Sequence, residues 1–181
     1  MVHATPPALQ VGTYFERFPI PPIPEKCTEI AGGPVTFVVE PRQLTDNLVY
    51  EALPDVEEQA DELGAVDLDD FGASLHVYGS DDRLEYLRFD CFSNDAHYHY
   101  IRNADGGNFV CPLDQIAEGD SVEWTLGRLR DRLPEMLEFA HAPEVAAGVR
   151  DQRQVVLEAI DRVADLLEVA QREALADRGR R

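Results

Sequence analysis

Apolar and polar positions alternate in the middle of the chain and follow a helical period towards its end. Segments with β-branched residues or period-two alternation, bounded by turns rich in glycine, proline and aspartate, are typical of strands. Five segments fit this description: 35–40, 74–78, 84–92, 97–102 and 108–111. Because the turns between the later segments are short, neighbouring strands should pair in antiparallel fashion. The pattern predicts an α+β fold, in which a meandering antiparallel sheet of four to five strands is followed by C-terminal helices.

The C-terminal third of the chain has the signals of two helices. Asp120 is a good N-cap, and Glu123, three residues later, is close to a capping box. Pro134 lacks a backbone donor, so the first helix should kink or break near Arg132. The second helix is predicted over residues 143–176 and would be the longest element of the chain.

The second helix also has an apolar stripe with a seven-residue repeat. Two interleaved registers form it: Val149, Val156, Val163 and Ala170, and Ile160, Leu167 and Ala174. At about 1.5 Å per residue the helix is longer than a domain of this size needs, and an uncovered apolar stripe is unfavourable in water. We therefore expect a homodimer in which a second copy covers the stripe. The alternative is that the stripe packs on the body of its own chain.

Prolines and apolar residues are interspersed near the start of the chain. The prolines preclude a helix there, and residues such as Tyr14, Phe15 and Ile20 are too apolar for a free tail. This segment should lie across the body or across a partner. The chain thus divides into three regions: a Pro-rich extended arm (1–33), a sheet body with one short helix near 55–63 (34–118), and a C-terminal helical hairpin that acts as the dimerisation element (119–181).

Composition excludes several classes of partner. The formal charge of −19 argues against binding to nucleic acid or to anionic membranes. With a single lysine, Lys26, this acidity suits either a protein of concentrated salt or a GC-rich genome. Three widely spaced cysteines do not form a disulfide framework, and no apolar run approaches the roughly 20 residues of a membrane-spanning helix. Because residues 1–10 lack the pattern of a signal peptide, we expect a cytoplasmic protein.

Chemical groups are concentrated over residues 84–111, which contain two histidines, two cysteines and three tyrosines. Side chains alternate between the faces of a strand, so His97 and His99 share one face. If residues 93–96 form the turn, Asp90 lies opposite His99 on the neighbouring strand. The polar face then carries Arg88, Asp90, His97 and His99, and the core face carries Leu87, Phe89, Cys91, Tyr98 and Tyr100.

A histidine pair with a carboxylate on the next strand is a ligand geometry for zinc, iron and other transition metals. If Arg102 pairs with Asn108, Cys111 lies opposite His99 on the same face, although a one-residue slip would move it away. The predicted metal ligands are His97, His99, Asp90 and Cys111, and Asp95 and His76 are further candidates. A thiolate would favour zinc, whereas histidine and carboxylate alone would also suit iron or manganese. The alternative is that the histidines hydrogen-bond to Asp90 and to the backbone, without a metal.

Three functions are compatible with these features. The first is a small binding protein that uses the polar sheet face for a metal or a small ligand. The second is a metal-dependent enzyme at the same place, and the third is an interaction protein that acts through the long helix. Asp90 and His99 could also form a base–orienter pair for a nucleophile at Cys111 or Ser93, but no Gly-x-Ser-x-Gly motif accompanies them.

Overall fold

The computed structural model describes residues 11–16, 18–45, 69–104 and 106–178. It confirms the α+β fold with an antiparallel sheet and C-terminal helices. The strands are β1 (Thr13–Phe15), β2 (Thr28–Gly32), β3 (Val35–Thr45), β4 (Asp69–Gly79), β5 (Glu85–Phe92), β6 (His97–Arg102) and β7 (Gly107–Pro112). The helices are α1 (Gln115–Glu118), α2 (Ser121–Phe139), α3 (Pro143–Asp151) and α4 (Arg153–Arg178), and a short 3₁₀ turn covers Pro24–Lys26. The short helix predicted near 55–63 lies outside the described residues.

The sheet has seven strands, not four to five, in the order β1-β7-β6-β5-β4-β3-β2, and it curves into a half-barrel. The two additional strands, β1 and β2, come from the predicted arm and pair with β7 and β3 respectively. They lie on opposite edges of the sheet. The chain between them must therefore cross the whole sheet, and it does so over the face that carries the polar side chains.

The helices cover the other face of the sheet. Helix α4 packs across β2, β3 and β4, and α2 packs on β5. The predicted core face is confirmed, because Leu87, Phe89 and Cys91 are buried and Tyr98 and Tyr100 pack against the same cluster. Aromatic contacts join the two layers, with Tyr100 on Phe139 at 4.6 Å between ring centroids. This layer separates the helices from the polar side chains on the other face of the sheet.

The C-terminal helices differ from the prediction in two respects. Helix α2 begins after the N-cap Asp120, as predicted, but it runs through Pro134, so the predicted break near Arg132 is wrong, whereas the alternative of a kink there stays a prediction. Leu133 and Leu137 are fully buried on either side of the proline, and their packing offsets the loss of one backbone donor. The predicted single helix over 143–176 is two helices, which are interrupted at Gln152.

The apolar stripe of α4 packs on the sheet of its own chain. Ile160, Val163 and Leu167 are each 0% exposed. The prediction that a second copy covers this stripe is therefore wrong, because β2, β3 and β4 already do so. The homodimer itself stays a prediction. Among the described residues, no helix is both long enough and apolar enough to cross a membrane.

Candidate metal centre

The face of the sheet opposite the helices, the polar face, is largely buried. Alternation along each strand puts every second side chain on this face, where the chain that crosses from β1 to β2 (the crossing segment) covers it. Among the described residues, its polar side chains include Glu40, Arg42, Asp70, Ser74, His76, Glu85, Arg88, Asp90, His97, His99 and Asn108. Buried ionisable groups are costly unless they are paired or bind a ligand, so the partners of these residues identify what the face can do.

Asp90 lies opposite His97, and Arg88 lies opposite His99. The predicted pairing of Asp90 with His99 is wrong by two residues, because the loop after β5 is wider than a tight turn. The carboxylate of Asp70 accepts hydrogen bonds from the backbone N–H groups of loop residues 93–95 and holds the loop open. A shift of two residues keeps each side chain on its face, so Asp90, His97 and His99 still share one face, as predicted.

Cys111 lies on the other face, opposite Tyr98, and the prediction that it shares the face of His99 is wrong. Arg102 pairs with Gly107 rather than Asn108, because Gly106, with a φ of 71°, shortens the turn. This one-residue difference turns the thiol towards the helices. Burial raises the pKa of Cys111 to about 11, so the group stays a thiol at neutral pH.

Three predicted ligands do come together. Asp90, His97 and His99 each offer one ligand atom, and these atoms lie within 4.8 Å of one another. The Nε2 atom of His97 is 3.4 Å from Asp90 Oδ2, and that of His99 is 3.2 Å from the same oxygen. With metal–ligand bonds of about 2.1 Å, neighbouring ligand atoms would be about 3.0 Å apart in an octahedron and about 3.4 Å apart in a tetrahedron. The distances from the two Nε2 atoms to Asp90 Oδ2 match this range.

The other ring nitrogens of both histidines are held by hydrogen-bond acceptors. His97 Nδ1 donates to the backbone carbonyl of Asp95 at 2.7 Å, and His99 Nδ1 donates to the side-chain oxygen of Asn108 at 2.8 Å. Each contact keeps the proton on Nδ1 and leaves Nε2 as the atom that faces Asp90. Metal-binding histidines are oriented in the same way by acceptors at their second nitrogen.

Asp90 is held as a carboxylate. Although burial raises its pKa, hydrogen bonds from His97 and His99 hold the pKa well below its usual range. The Ser74 hydroxyl donates to Oδ1, which leaves Oδ2 for the two histidines. Burial lowers the pKa of His97, but Asp90 outweighs this and raises it above its usual value. The cluster therefore attracts positive charge, which a proton on His97 or a metal ion can supply.

The two further candidates stand apart from this cluster. His76 lies between two carboxylates, with Nδ1 2.7 Å from Glu85 and Nε2 3.3 Å from Glu40. The side chain of Asp95 is 75% exposed, and its carboxylate is 3.9 Å from the Nδ1 atom of His97, on the far side from Asp90. Neither residue is placed to share an ion with the Nε2 atoms.

A cavity of about 200 Å³ opens beside the three ligands. Apolar side chains make up much of its wall: Phe15, Phe18, Pro19, Ile20, Leu44, Phe92 and Val110. Three of these, Phe18, Pro19 and Ile20, belong to the crossing segment, which is fixed through its backbone. The carbonyl of Ile20 accepts from Arg88 at 2.6 Å and from Arg42 at 3.0 Å, and the N–H of Ile23 donates to Glu40 at 2.9 Å.

Sequence reasoning missed the parts played by Glu40, Arg42 and Asn108. Glu40 and Arg42 follow the β-branched run of β3 at alternate positions, separated by Pro41. This alternation was the signal that both face the same side. Asn108 was placed in a strand, but its role depends on the register, which the sequence does not fix.

The comparisons with known proteins give a family but no activity. A family model described as a domain of unknown function (DUF7700) matches residues 29–167. The matched region contains all three ligands of the candidate centre. No curated protein and no solved structure matches the chain.

Proposed function

The chain belongs to the DUF7700 family, a domain of unknown function, and we propose that it is a binding protein for a divalent transition metal. Asp90, His97 and His99 would hold the ion on the polar face of the sheet. The cavity beside them would admit a small molecule to the remaining coordination positions. Among the residues that the structure describes, this is the one group of three such side chains whose ligand atoms converge.

The convergence of two Nε2 atoms on one carboxylate oxygen carries the proposal. Hydrogen bonds at Nδ1 assign both imidazoles the tautomer that ligates through Nε2, and both Nε2 atoms face Asp90 Oδ2. With neutral imidazoles, lone pairs would meet a carboxylate without a proton between them. A cation among the three atoms removes this repulsion.

The donor set indicates which metals would bind. Two imidazole nitrogens and one carboxylate oxygen suit iron(II) or manganese as well as zinc. The thiolate that would have favoured zinc is absent from the set, because Cys111 points to the helices. Three protein ligands leave positions open on any of these ions, and the cavity adjoins them.

A metal-dependent enzyme is the second candidate, and the open positions favour it. Two histidines and one carboxylate with open positions are the ligand set of the non-haem iron(II) oxygenases. This likeness concerns the donor set alone and does not name a reaction. A turnover screen with the metal-loaded protein would distinguish the enzyme from a protein that only binds.

The direct test is elemental analysis of protein purified without a histidine tag. We expect about one equivalent of a transition metal per chain, and its loss when both histidines are replaced by alanine. Protein that contains no metal as purified, and takes up none of Fe²⁺, Mn²⁺, Co²⁺ or Zn²⁺ on dialysis, would show that the histidines are structural.

Two broader proposals accompany this one. The three cysteines, Cys27, Cys91 and Cys111, form no disulfide, which supports a reducing compartment such as the cytoplasm.

A homodimer would have to use surfaces other than the buried stripe of α4. Exposed apolar side chains at Val155 and Val169 on the same helix support such a surface.

A further inference from the structure

We infer that the molecule that completes the centre is a small organic monoanion, a carboxylate with an apolar body, which binds the metal through its charged end. This inference rests on the proposed metal centre and adds the chemical class of its ligand. It follows from the balance of buried charge on the polar face and from the lining of the cavity.

The buried cations of this face keep their charge because each is paired with at least one carboxylate, not because water solvates it. His76 has a carboxylate at each ring nitrogen, so both nitrogens carry protons and the ring is an imidazolium. Arg42 pairs with Glu40 at 2.8 Å, and Arg88 pairs with Glu85 at 2.8 Å. The cations are therefore Arg42, His76 and Arg88.

Among the described residues of this face, the carboxylates outnumber these cations by one. They are Glu40, Asp70, Glu85 and Asp90. Without a metal these groups thus have one excess negative charge. A divalent ion reverses the sign and leaves one excess positive charge. Because a net charge in a poorly solvated site is costly, a singly charged anion is the ligand that neutralises the loaded centre.

The cavity shows what the rest of the ligand should be. Apart from Arg42, Arg88 and Asn108, its wall away from the metal ligands is made of aromatic and aliphatic side chains, and Phe18, at the mouth, is 50% exposed. An apolar body would cover this ring and displace poorly held water. The volume of about 200 Å³ limits the ligand to about the space of seven water molecules. Benzoate has the size, charge and apolar ring that these features require.

Calorimetry with the whole 181-residue chain tests the inference in two steps. The first step titrates Co²⁺ into metal-free protein and measures the proposed centre by itself. The second titrates benzoate at saturating Co²⁺, with benzamide as the neutral analogue, benzylamine as the cationic analogue and acetate as the anion without a ring. We expect benzoate to bind at least about tenfold more tightly than each of the other three, and more tightly to the Co²⁺ form than to metal-free protein.

Variants locate the binding site of benzoate. Phe18→Ala removes an apolar surface at the mouth and should weaken benzoate about fivefold. Leu84→Ala is the matched control, since Leu84 is an exposed apolar side chain, 42% accessible, outside the cavity lining. It should leave the affinity for benzoate unchanged.

The outcomes separate this inference from the proposed function. If Co²⁺ does not bind, the metal centre is wrong and the inference falls with it. If Co²⁺ binds but benzamide or benzylamine matches benzoate, the centre stands and the anionic ligand is wrong. If acetate matches benzoate, or if Phe18→Ala and Leu84→Ala behave alike, the apolar body is wrong. Equal binding of benzoate to metal-free protein would show that the metal is not its partner.

Discussion

His99 Nδ1 lies 2.8 Å from the side-chain oxygen of Asn108, which is on the adjacent strand. This hydrogen bond fixes the imidazole tautomer, and it directs Nε2 towards the carboxylate oxygen of Asp90. An amide oxygen one strand away thus determines which nitrogen of His99 can bind a metal.

Asn108→Ala should lower the affinity for Co²⁺ about 10- to 100-fold without abolishing it, because the ring loses its orientation but not its ligand atom. Isothermal titration of the metal-free protein measures this. Asn103→Ala is the matched control, since the Asn103 side chain donates to a backbone carbonyl outside the centre. Equal affinities for the two variants would mean that Asn108 does not orient His99.

Replacement of both histidines tests the centre itself. His97→Ala/His99→Ala should abolish metal binding and lower the free energy of unfolding by about 2 kcal/mol, because Asp90 and Asn108 lose buried partners. Melting curves with and without chelator should show a chelator-sensitive wild type and a chelator-insensitive variant. His141→Asn, at an exposed histidine with a φ of 62°, should behave as wild type. A wild type that ignores the chelator would remove the metal from the proposal.

The faces of the strands could be predicted from the sequence, whereas their registers could not. Alternation alone puts His97, His99 and Asp90 on one side, and any even shift preserves that result. The register depends on tertiary contacts, such as the carboxylate of Asp70 that widens the loop after β5. Cys111 was misplaced because its strand shifted by an odd number of residues.

The edge strands of the sheet, β1 and β2, were not predicted, for a different reason. Strand β1 is three residues long and β2 is five, and both stand next to prolines that favour extended structure without pairing. The apolar stripe of α4 was recognised correctly, but an amphipathic helix does not reveal what covers it. Here β2, one of the strands that was missed, forms part of the surface beneath the stripe.

Cys111→Ser should leave the affinity for Co²⁺ unchanged, since the thiol faces the helices and remains protonated. Asp90→Asn, measured beside it, should lose metal binding, because the amide has no charge to offer between the two Nε2 atoms. A marked loss of affinity in Cys111→Ser would show that β7 is shifted by one residue in solution.

The pair of carboxylates around His76 should make stability depend on pH. Burial lowers the pKa of His76, but the hydrogen bonds to Glu40 and Glu85 outweigh it, and the net pKa is raised. The contribution of His76 to the free energy of unfolding is fully present below the unfolded pKa of about 6.5 and is lost as pH rises through the higher folded pKa.

Burial raises the pKa of Glu85, yet Arg88 and His76 lower it to about 2. Its contribution is present above the unfolded pKa of about 4.3 and is lost as pH falls towards that value of about 2.

Urea unfolding should therefore give the greatest stability between about pH 5 and about pH 6.5. His76→Gln should cost about 3 kcal/mol in this window, because two buried carboxylates lose their shared cation. The difference from wild type should shrink as pH rises through the folded pKa of His76, where the native imidazole loses a proton. A difference that stays constant with pH would mean that His76 is not an imidazolium in the folded protein.

The two sides of α4 should respond in opposite ways to charge. Ile160→Asp/Leu167→Asp places carboxylates where both side chains are 0% exposed against the sheet, so the variant should fail to fold. Val155→Asp/Val169→Asp is the matched control on the same helix, at positions that are 46% and 39% exposed, and it should keep the circular dichroism of wild type. A folded Ile160→Asp/Leu167→Asp variant would contradict the packing of the helix on the sheet.

Sedimentation of wild type and of the Val155→Asp/Val169→Asp variant tests the homodimer. A wild type that dimerises and a folded Val155→Asp/Val169→Asp variant that is monomeric would place the interface on the exposed side of α4.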